Sequence, residues 1–491
     1  SDPGASDHGV GRLRVVPGHG RGVDLGQEAA AMRRVLLMAI AVVTALAAAA
    51  LPRPEAAEGP SFTGPAVIEE EATASGTVWY CPWLAADATR DGWLMLATTT
   101  ATDIEITMPN EVPNVEPTTQ LLSYSGPSAE PIDVGSLVRR GPAPAFVEFT
   151  AGPAAVSAIV TQDLPTGSTL VAGDRCTSSV PKLWHLPGGT TREGRRSMLR
   201  LFNPFPDQAK VTVTGTSEFG EVGLVDLAAL DVPGRSWLTV DLNQLVSLIE
   251  TMSLTITADQ GVVIPSMVVA SDVDEATWPG TGLSTTWEFP VARQTGLTPR
   301  LVVTNPGDTE VTVEIDVYSQ EDSVEAARLV TIPAGTPTSI PVDDLINGPF
   351  GLRLRASDPV SAVLIAEDIT SREDGAAATE ADDRVAGTVG APVALRRWLL
   401  PGPGALPTAA SAIWVLNTGP ERVTVSLQPL GIDALEPEKV VLRPNRIARI
   451  VLPQGDDVYG YEVSAPQPIS AAWTVESGDG VAFIAGIGVE G

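Results

Sequence analysis

The chain is poor in the residues that most often carry chemistry. Among 491 residues there are three histidines, two cysteines and three lysines, and aromatic residues make up only 5%. Two of the histidines, His8 and His19, lie in an N-terminal segment, which leaves His185 as the one imidazole of the body. A multi-histidine metal site is thereby excluded, and a Ser-His-Asp triad would have a single candidate base. Positive charge is equally scarce. Lys+Arg number 31 against 60 Asp+Glu, a formal net charge of −29. Such a chain repels a phosphate backbone, so nucleic acid is not an expected partner. Helical periodicity is thin as well: the best stretch in the body, LNQLVSLI at residues 242–249, is barely two turns. What is present is 44% hydrophobic residues, a mean hydropathy of +0.14, 46 Gly and 42 Pro. That composition belongs to a folded, turn-rich chain of several domains.

Residues 35–51 read VLLMAIAVVTALAAAAL without a charge, after Met32, Arg33 and Arg34. A basic start, an apolar run and then small residues make up a secretory signal, with Ala48-Ala49-Ala50 as the cleavage site. The run is short for a bilayer span, so a cleaved signal is preferred to a retained anchor. Residues 1–31 show no strand or helix period and are read as an upstream extension ahead of Met32. From residue 58 onward the chain holds 25 basic and 55 acidic side chains, so the acidity belongs to the exported part.

The pattern W-x-x-P occurs four times, at Trp79, Trp184, Trp287 and Trp398. The residues after each copy keep step with it. Apolar strands end at Asn203, Asn305 and Asn417, and in the first copy at Thr98. Alternating strands come next, at Val211-Thr212-Val213, Val311-Thr312-Val313 and Val423-Thr424-Val425, with Ile104-Glu105-Ile106 in the first copy. A later strand, polar turn and strand repeat around Ala151, Ala258, Ala356 and Ala465. Each copy of about 100 residues holds seven or eight short β-rich runs, the signature of an immunoglobulin-sized sandwich. The expected fold is therefore all-β: four tandem antiparallel β-sandwich modules at 77–180, 181–283, 284–394 and 395–491. They come after an extension at 1–31, a signal or anchor at 32–57 and a linker at 58–76. A β-propeller is the rival architecture, but no half-repeat symmetry divides each copy into two blades.

The order of signal sequence, WYCP, Cys176 about a hundred residues on, then W-x-x-P and L-x-x-x-N-P strands resembles secreted actinobacterial proteins grouped as domain of unknown function 5719. The resemblance covers residues 60–491. It implies an exported, cell-envelope-associated β protein and carries over no catalytic residue.

Cys81 and Cys176 are the only cysteines and bracket module 1, so a disulfide is expected, worth about 4–5 kcal/mol in the chain-entropy model. The four repeat tryptophans are read as core. Trp278, outside the repeated position, is read as a candidate exposed ring, and His185 as a surface imidazole. Arg192, Arg195, Arg196 and Arg200 form the one basic cluster, a candidate patch for an anionic partner. Asp272, Asp274 and Glu275 are weak calcium candidates that match no EF-hand. Further acidic runs stand at 380–383 and 456–457. No cofactor is expected otherwise.

Every repeated residue is of a structural kind, and loop chemistry is what varies. The leading expectation is an exported, non-enzymatic cell-envelope protein that binds or scaffolds an envelope polymer or another exported protein. It would meet a membrane only through residues 35–51. The alternative is a carboxylate-dependent hydrolase or transferase acting on envelope glycans.

Overall fold

A computed structural model describes residues 67–68 and 77–489, except 113–114, 165–168, 272–273, 293–295, 369–383, 403, 405, 407–408, 432–435, 454–457 and 478–479. The signal or anchor segment, the N-terminal extension, Asp272 and the acidic runs at 380–383 and 456–457 lie outside the described residues. The chain is all-β, and among the described residues the only helices are three short 3-10 turns. One of them, Leu242–Gln244, is all that forms of the stretch with the best helical pattern.

Each repeat folds into two antiparallel sheets. In module 1 the outer sheet orders Thr77–Cys81, Ala145–Phe149, Thr102–Met108 and Thr118–Tyr124. The inner sheet orders Thr169–Arg175, Ala154–Asp163, Arg90–Thr98 and Ser128–Asp133. Modules 2 to 4 repeat this plan. In modules 3 and 4 single strands, Gly351–Glu367 and Gly460–Ser477, run through both sheets. The two-residue period explains the pairing of faces. Val211 and Val213 are buried while Thr212 between them is not, and apolar faces of both sheets meet.

The repeated residues hold the sandwich together. Trp79, Trp184, Trp287 and Trp398 are at most 1% exposed. Trp287 and Trp398 donate their indole N–H to the carbonyls of Val360 and Ile469, the same place in two modules. The repeated asparagines share one task. Nδ2 of Asn203, Asn305 and Asn417 donates to the carbonyls of Asp207, Thr309 and Glu421, each at 2.7–2.8 Å. Each Oδ1 accepts the backbone N–H two residues on. The side chain thus satisfies a turn that must be buried beside the next strand. In module 1 Thr98 covers part of this work, bonding Thr100 and Pro153.

The second W-x-x-P position varies because its backbone, not its side chain, is needed inside the module. Tyr80, His185 and Glu288 each bridge the chain just past the last strand of their module, at Thr177, Thr281 and Ala391. Leu399 pairs with Ile487 in the same way. Three of the four side chains meet neighbouring modules. Tyr80 meets Phe205 of module 2, Glu288 bonds Thr418 and Ser470 of module 4, and Leu399 joins the core of module 1. The last strands of the four modules, Thr169–Arg175, Glu275–Pro279, Val385–Val389 and Gly480–Ala485, pack on one another in cyclic order. The described residues therefore form one unit, Ser61–Gly491, in which module 4 also touches module 1. Alanine stands at one place in all four of these strands, Ala172, Ala276, Ala386 and Ala482, each at most 3% exposed. Small side chains let the strands approach. Val67–Ile68, ahead of module 1, pairs parallel with Ile487–Val489 at the end of module 4.

Candidate functional site

The expected disulfide is present. Cys81 and Cys176 are bonded, with Cα atoms 4.8 Å apart, and tie the first strand of module 1 to the end of its last. The same two places in the sister modules hold Leu186 and Gly280, Phe289 and Gly390, and Leu400 and Gly486. A Cβ on Gly390 would lie 2.8 Å from the Phe289 ring. A large side chain over a glycine thus fills the place of the bridge.

The arginine cluster is not a surface patch. Arg195 and Arg200 are each 4% exposed. Arg192 and Arg195 reach into module 3 and bind Glu367 at 2.7 and 3.1 Å, with Arg300 on the same carboxylate at 3.4 Å. Burial pushes the Glu367 carboxyl up, but Arg300, Arg192 and Arg195 outweigh it and hold it at about 2. Arg200 donates to the carbonyl of Trp83 in module 1. Only Arg196 faces water, paired with Asp241 at 2.8 Å. Three arginines thus converge on one buried carboxylate at this joint and offset the cost of burying it.

The calcium candidates do not gather either. Asp274 is buried, and its oxygens accept the N–H groups of Val385 and Glu275, both at 2.9 Å. Burial raises it to about 8. Glu275 instead faces Arg90 at 3.8 Å. Among the described residues no three His, Cys, Asp or Glu side chains are placed to hold a metal. His185 is buried rather than on the surface. Its Nδ1 lies 3.3 Å from Thr255 Oγ1, and burial lowers its pKa to about 4, so it stays neutral. Trp278 is fully buried and donates to Pro187. Module 3 covers Trp278, whose ring lies against Gly387, so a surface that looks exposed within one repeat is buried between modules.

A candidate site does lie on the solvent face of module 1's outer sheet, where no sequence motif points. A groove of about 630 Å³ is lined by Thr77, Val78, Asp103, Glu105, Leu121 and Glu148, among others. A second hollow of about 290 Å³ shares Glu105 and Glu148 and adds Glu116, Phe146 and Arg235 of module 2. The register sets the floor. Val78 pairs with Glu148, Glu148 with Glu105 and Glu105 with Leu121, so four strands place these side chains in one row. Two glutamates thus stand directly opposite each other. Burial raises Glu148, and the charge of Glu105 adds to this. Burial and Glu148 together push the neighbouring Tyr80 to about 12.

Like charges directly opposite on a sheet destabilise it. The sister modules avoid this at the same row. The central pair is Thr212 with Thr257 in module 2 and Ser426 with Ser464 in module 4. In module 3 it is Glu314 with Arg355, a salt bridge. Arg235 adds a second cost. It sits at φ 49° where the sisters place Gly335 at 66° and Asn445 at 51°, in the left-handed region that suits glycine and asparagine. Its amide donates to Phe205, as Gly335 does to Gly307 and Asn445 to Gly419. Sequence carries no plain signal for this row, since Thr212, Glu314 and Ser426 take the place of Glu105 and only the partner across the ladder tells module 1 from module 3.

Comparison with known proteins adds a family. The model of a family of unknown function, DUF5719, matches residues 134–396. The chain belongs to this family. The match runs from within module 1 to the Trp strand of module 4 and takes in the W-x-x-P copies at Trp184 and Trp287, a shorter span than the 60–491 of the resemblance. No curated protein matches this DUF5719 chain. Among solved structures, a Streptomyces avermitilis alpha-L-rhamnosidase complexed with L-rhamnose matches at 10% identity and a TM-score of 0.11. The match covers 78% of this chain and 54% of that one, so the chain spans about half the length of the enzyme. A likeness that weak carries no argument.

Proposed function

We propose that this DUF5719 protein works outside the cytoplasmic membrane as a non-enzymatic scaffold. In this reading the outer face of module 1 binds an envelope polymer or another exported protein. The carrying observation is the Glu105–Glu148 pair on the floor of the groove. Three sister modules show that the fold is content with a neutral or matched pair there, so the two like charges serve something other than folding. Export is supported by the basic and apolar N-terminal sequence and by a disulfide, which persists in oxidising compartments. Among the described residues no helix is long and apolar enough to cross a membrane. The groove is open to water and its glutamates are exposed, which suits binding better than chemistry that needs water excluded.

One observation favours the second reading, a carboxylate-dependent hydrolase or transferase on envelope glycans. A raised carboxyl beside a second one is the arrangement such enzymes use for acid and base. The experiment is retention of cell-envelope extract on the immobilised chain and on the Glu105→Gln, Glu148→Gln double variant. Binding predicts capture that falls with salt and is lost in the variant, without turnover. Glycan turnover lost in Glu148→Gln alone would establish the enzyme instead.

A further inference from the structure

The groove ends at a free sheet edge, and that edge differs from its three counterparts. The strand Thr118–Tyr124 closes the outer sheet of module 1 and pairs only with Thr102–Met108. Among the described residues its backbone makes no hydrogen bond other than those of that ladder. It is seven residues long, TTQLLSY, with no charge and no proline inside it. Leu121 is 73% exposed.

Proteins usually blunt such an edge, because unpaired N–H and C=O groups recruit another strand. The sister modules do so. Module 2 breaks the edge into two three-residue pieces, Gly220–Val222 and Leu230–Val232. Module 3 disturbs it with a register shift, puts Ala326 at φ 49° and places Glu325 and Arg328 on it. Its Arg328 also reaches across to Asp344 at 2.8 Å. Module 4 keeps five residues, led by Glu438 and Lys439. Only in module 1 is the edge long, regular and uncharged.

We infer that the edge strand Thr118–Tyr124 takes up an extended, basic segment of a partner protein by strand addition, with the partner's lysine or arginine side chains over the acidic row beside it. This rests on the binding reading above and names the mode and the partner. Main-chain hydrogen bonds to the free edge supply the affinity in this mode, and alternate side chains supply the specificity. The side chains next to the edge are Asp103, hydrogen-bonded to Ser123, then Glu105 opposite Leu121, then Glu148. Long cationic side chains on the added strand reach over Leu121 and Ser123 to Asp103 and Glu105, two strands away, and so offset the charge that Glu105 presents to Glu148. The second hollow extends this acidic stretch with Glu116 and has Arg235 of module 2 as its one lining cation. A second copy of this chain is a poor occupant. It would bring the same acidic row and a net charge of −29 against its own kind.

The test uses an eight-residue peptide alternating lysine and valine, with the whole exported chain. Two further peptides carry backbone N-methyl groups, one on every lysine and one on every valine. Along an added strand only every second N–H faces the edge. Strand addition therefore predicts that one methylated peptide binds on the order of tenfold more weakly while the other binds as the parent does. It also predicts slowed amide exchange at residues 118–124 and weaker binding in the Glu105→Gln, Glu148→Gln variant. If all three peptides bind alike and the glutamate variant loses them all, the groove binds through side chains and strand addition is overturned, with the binding face intact. If no peptide binds while envelope extract is still retained, the basic partner is overturned and the broader function stands.

Discussion

Module 1 and its three sisters share one backbone plan and differ in what they place on it. Where the sisters set a large side chain over a glycine, module 1 has a disulfide. Where they set Thr with Thr, Arg with Glu or Ser with Ser, it sets Glu against Glu. Where they blunt an edge strand, it leaves one free. The repeat acts as an internal control. A feature shared by four modules is required by the fold, and one confined to module 1 is not. The joint of modules 2 and 3 carries a buried ion-pair cluster on Glu367, whereas module 1 meets module 2 through the pair Arg90–Glu275 and through Arg200 on the Trp83 carbonyl.

The largest effect is expected where the sisters depend on charge. Glu367→Leu leaves Arg192, Arg195 and Arg300 facing one another at the joint of modules 2 and 3. A loss of about 3–5 kcal/mol in denaturant unfolding is expected. In the parent protein the same carboxylate sets an acid limit. Its folded pKa of about 2 lies below the ordinary 4.5, so its contribution is full above 4.5 and fades as pH falls towards 2. The variant should lack that limb of the pH profile.

Next comes the bridge. Cys81→Ser with Cys176→Ser should cost about 2–5 kcal/mol. Importing the sister solution, Cys81→Leu with Cys176→Gly, should recover part of it, because Leu400 over Gly486 is how module 4 fills this place. If the imported pair were no better than the two serines, the equivalence of the positions would fail. A smaller effect is expected at the repeated turn. Asn305→Ala strands two or three buried groups and should lower stability by about 1–3 kcal/mol. Thr98→Asn gives module 1 the sister residue and should be neutral or stabilising in the same thermal melt.

The smallest change has the opposite sign. Giving module 1 the module 2 pair, Glu105→Thr with Glu148→Thr, should stabilise it by about 0.2–1 kcal/mol. Burial and Glu105 hold Glu148 above its ordinary value, so the folded chain binds that proton more tightly than the unfolded chain. The parent is then most stable below the ordinary carboxylate range and weakens as pH rises through it. The threonine pair should remove this slope in unfolding curves taken across that range. A destabilised variant would mean that the glutamates serve the fold after all.

The sequence by itself determined that the chain is all-β, that it is built from four sandwiches, that the four W-x-x-P tryptophans are core, and that Cys81 pairs with Cys176. These come from local patterns: alternation with a period of two, tryptophan and asparagine at fixed spacing, and two cysteines in one module. Each acts within about a hundred residues, so reading one repeat suffices. Only the tertiary structure decided the rest. Arg195 meets Glu367, 172 residues away, and Asp174 of module 1 accepts hydrogen bonds from Thr388 of module 3 and the amide of Ala485 of module 4. His185 and Trp278 read as surface and Arg192, Arg195 and Arg200 as a patch, because within one repeat nothing covers them. Packing between modules covers Trp278 and the arginines, and a buried charge there either finds a partner, as Arg195 does, or is pushed towards its neutral form, as Asp274 is. The acidic groove is of the same kind. Glu105 and Glu148 are 43 residues apart in the chain, and only strand register puts them face to face.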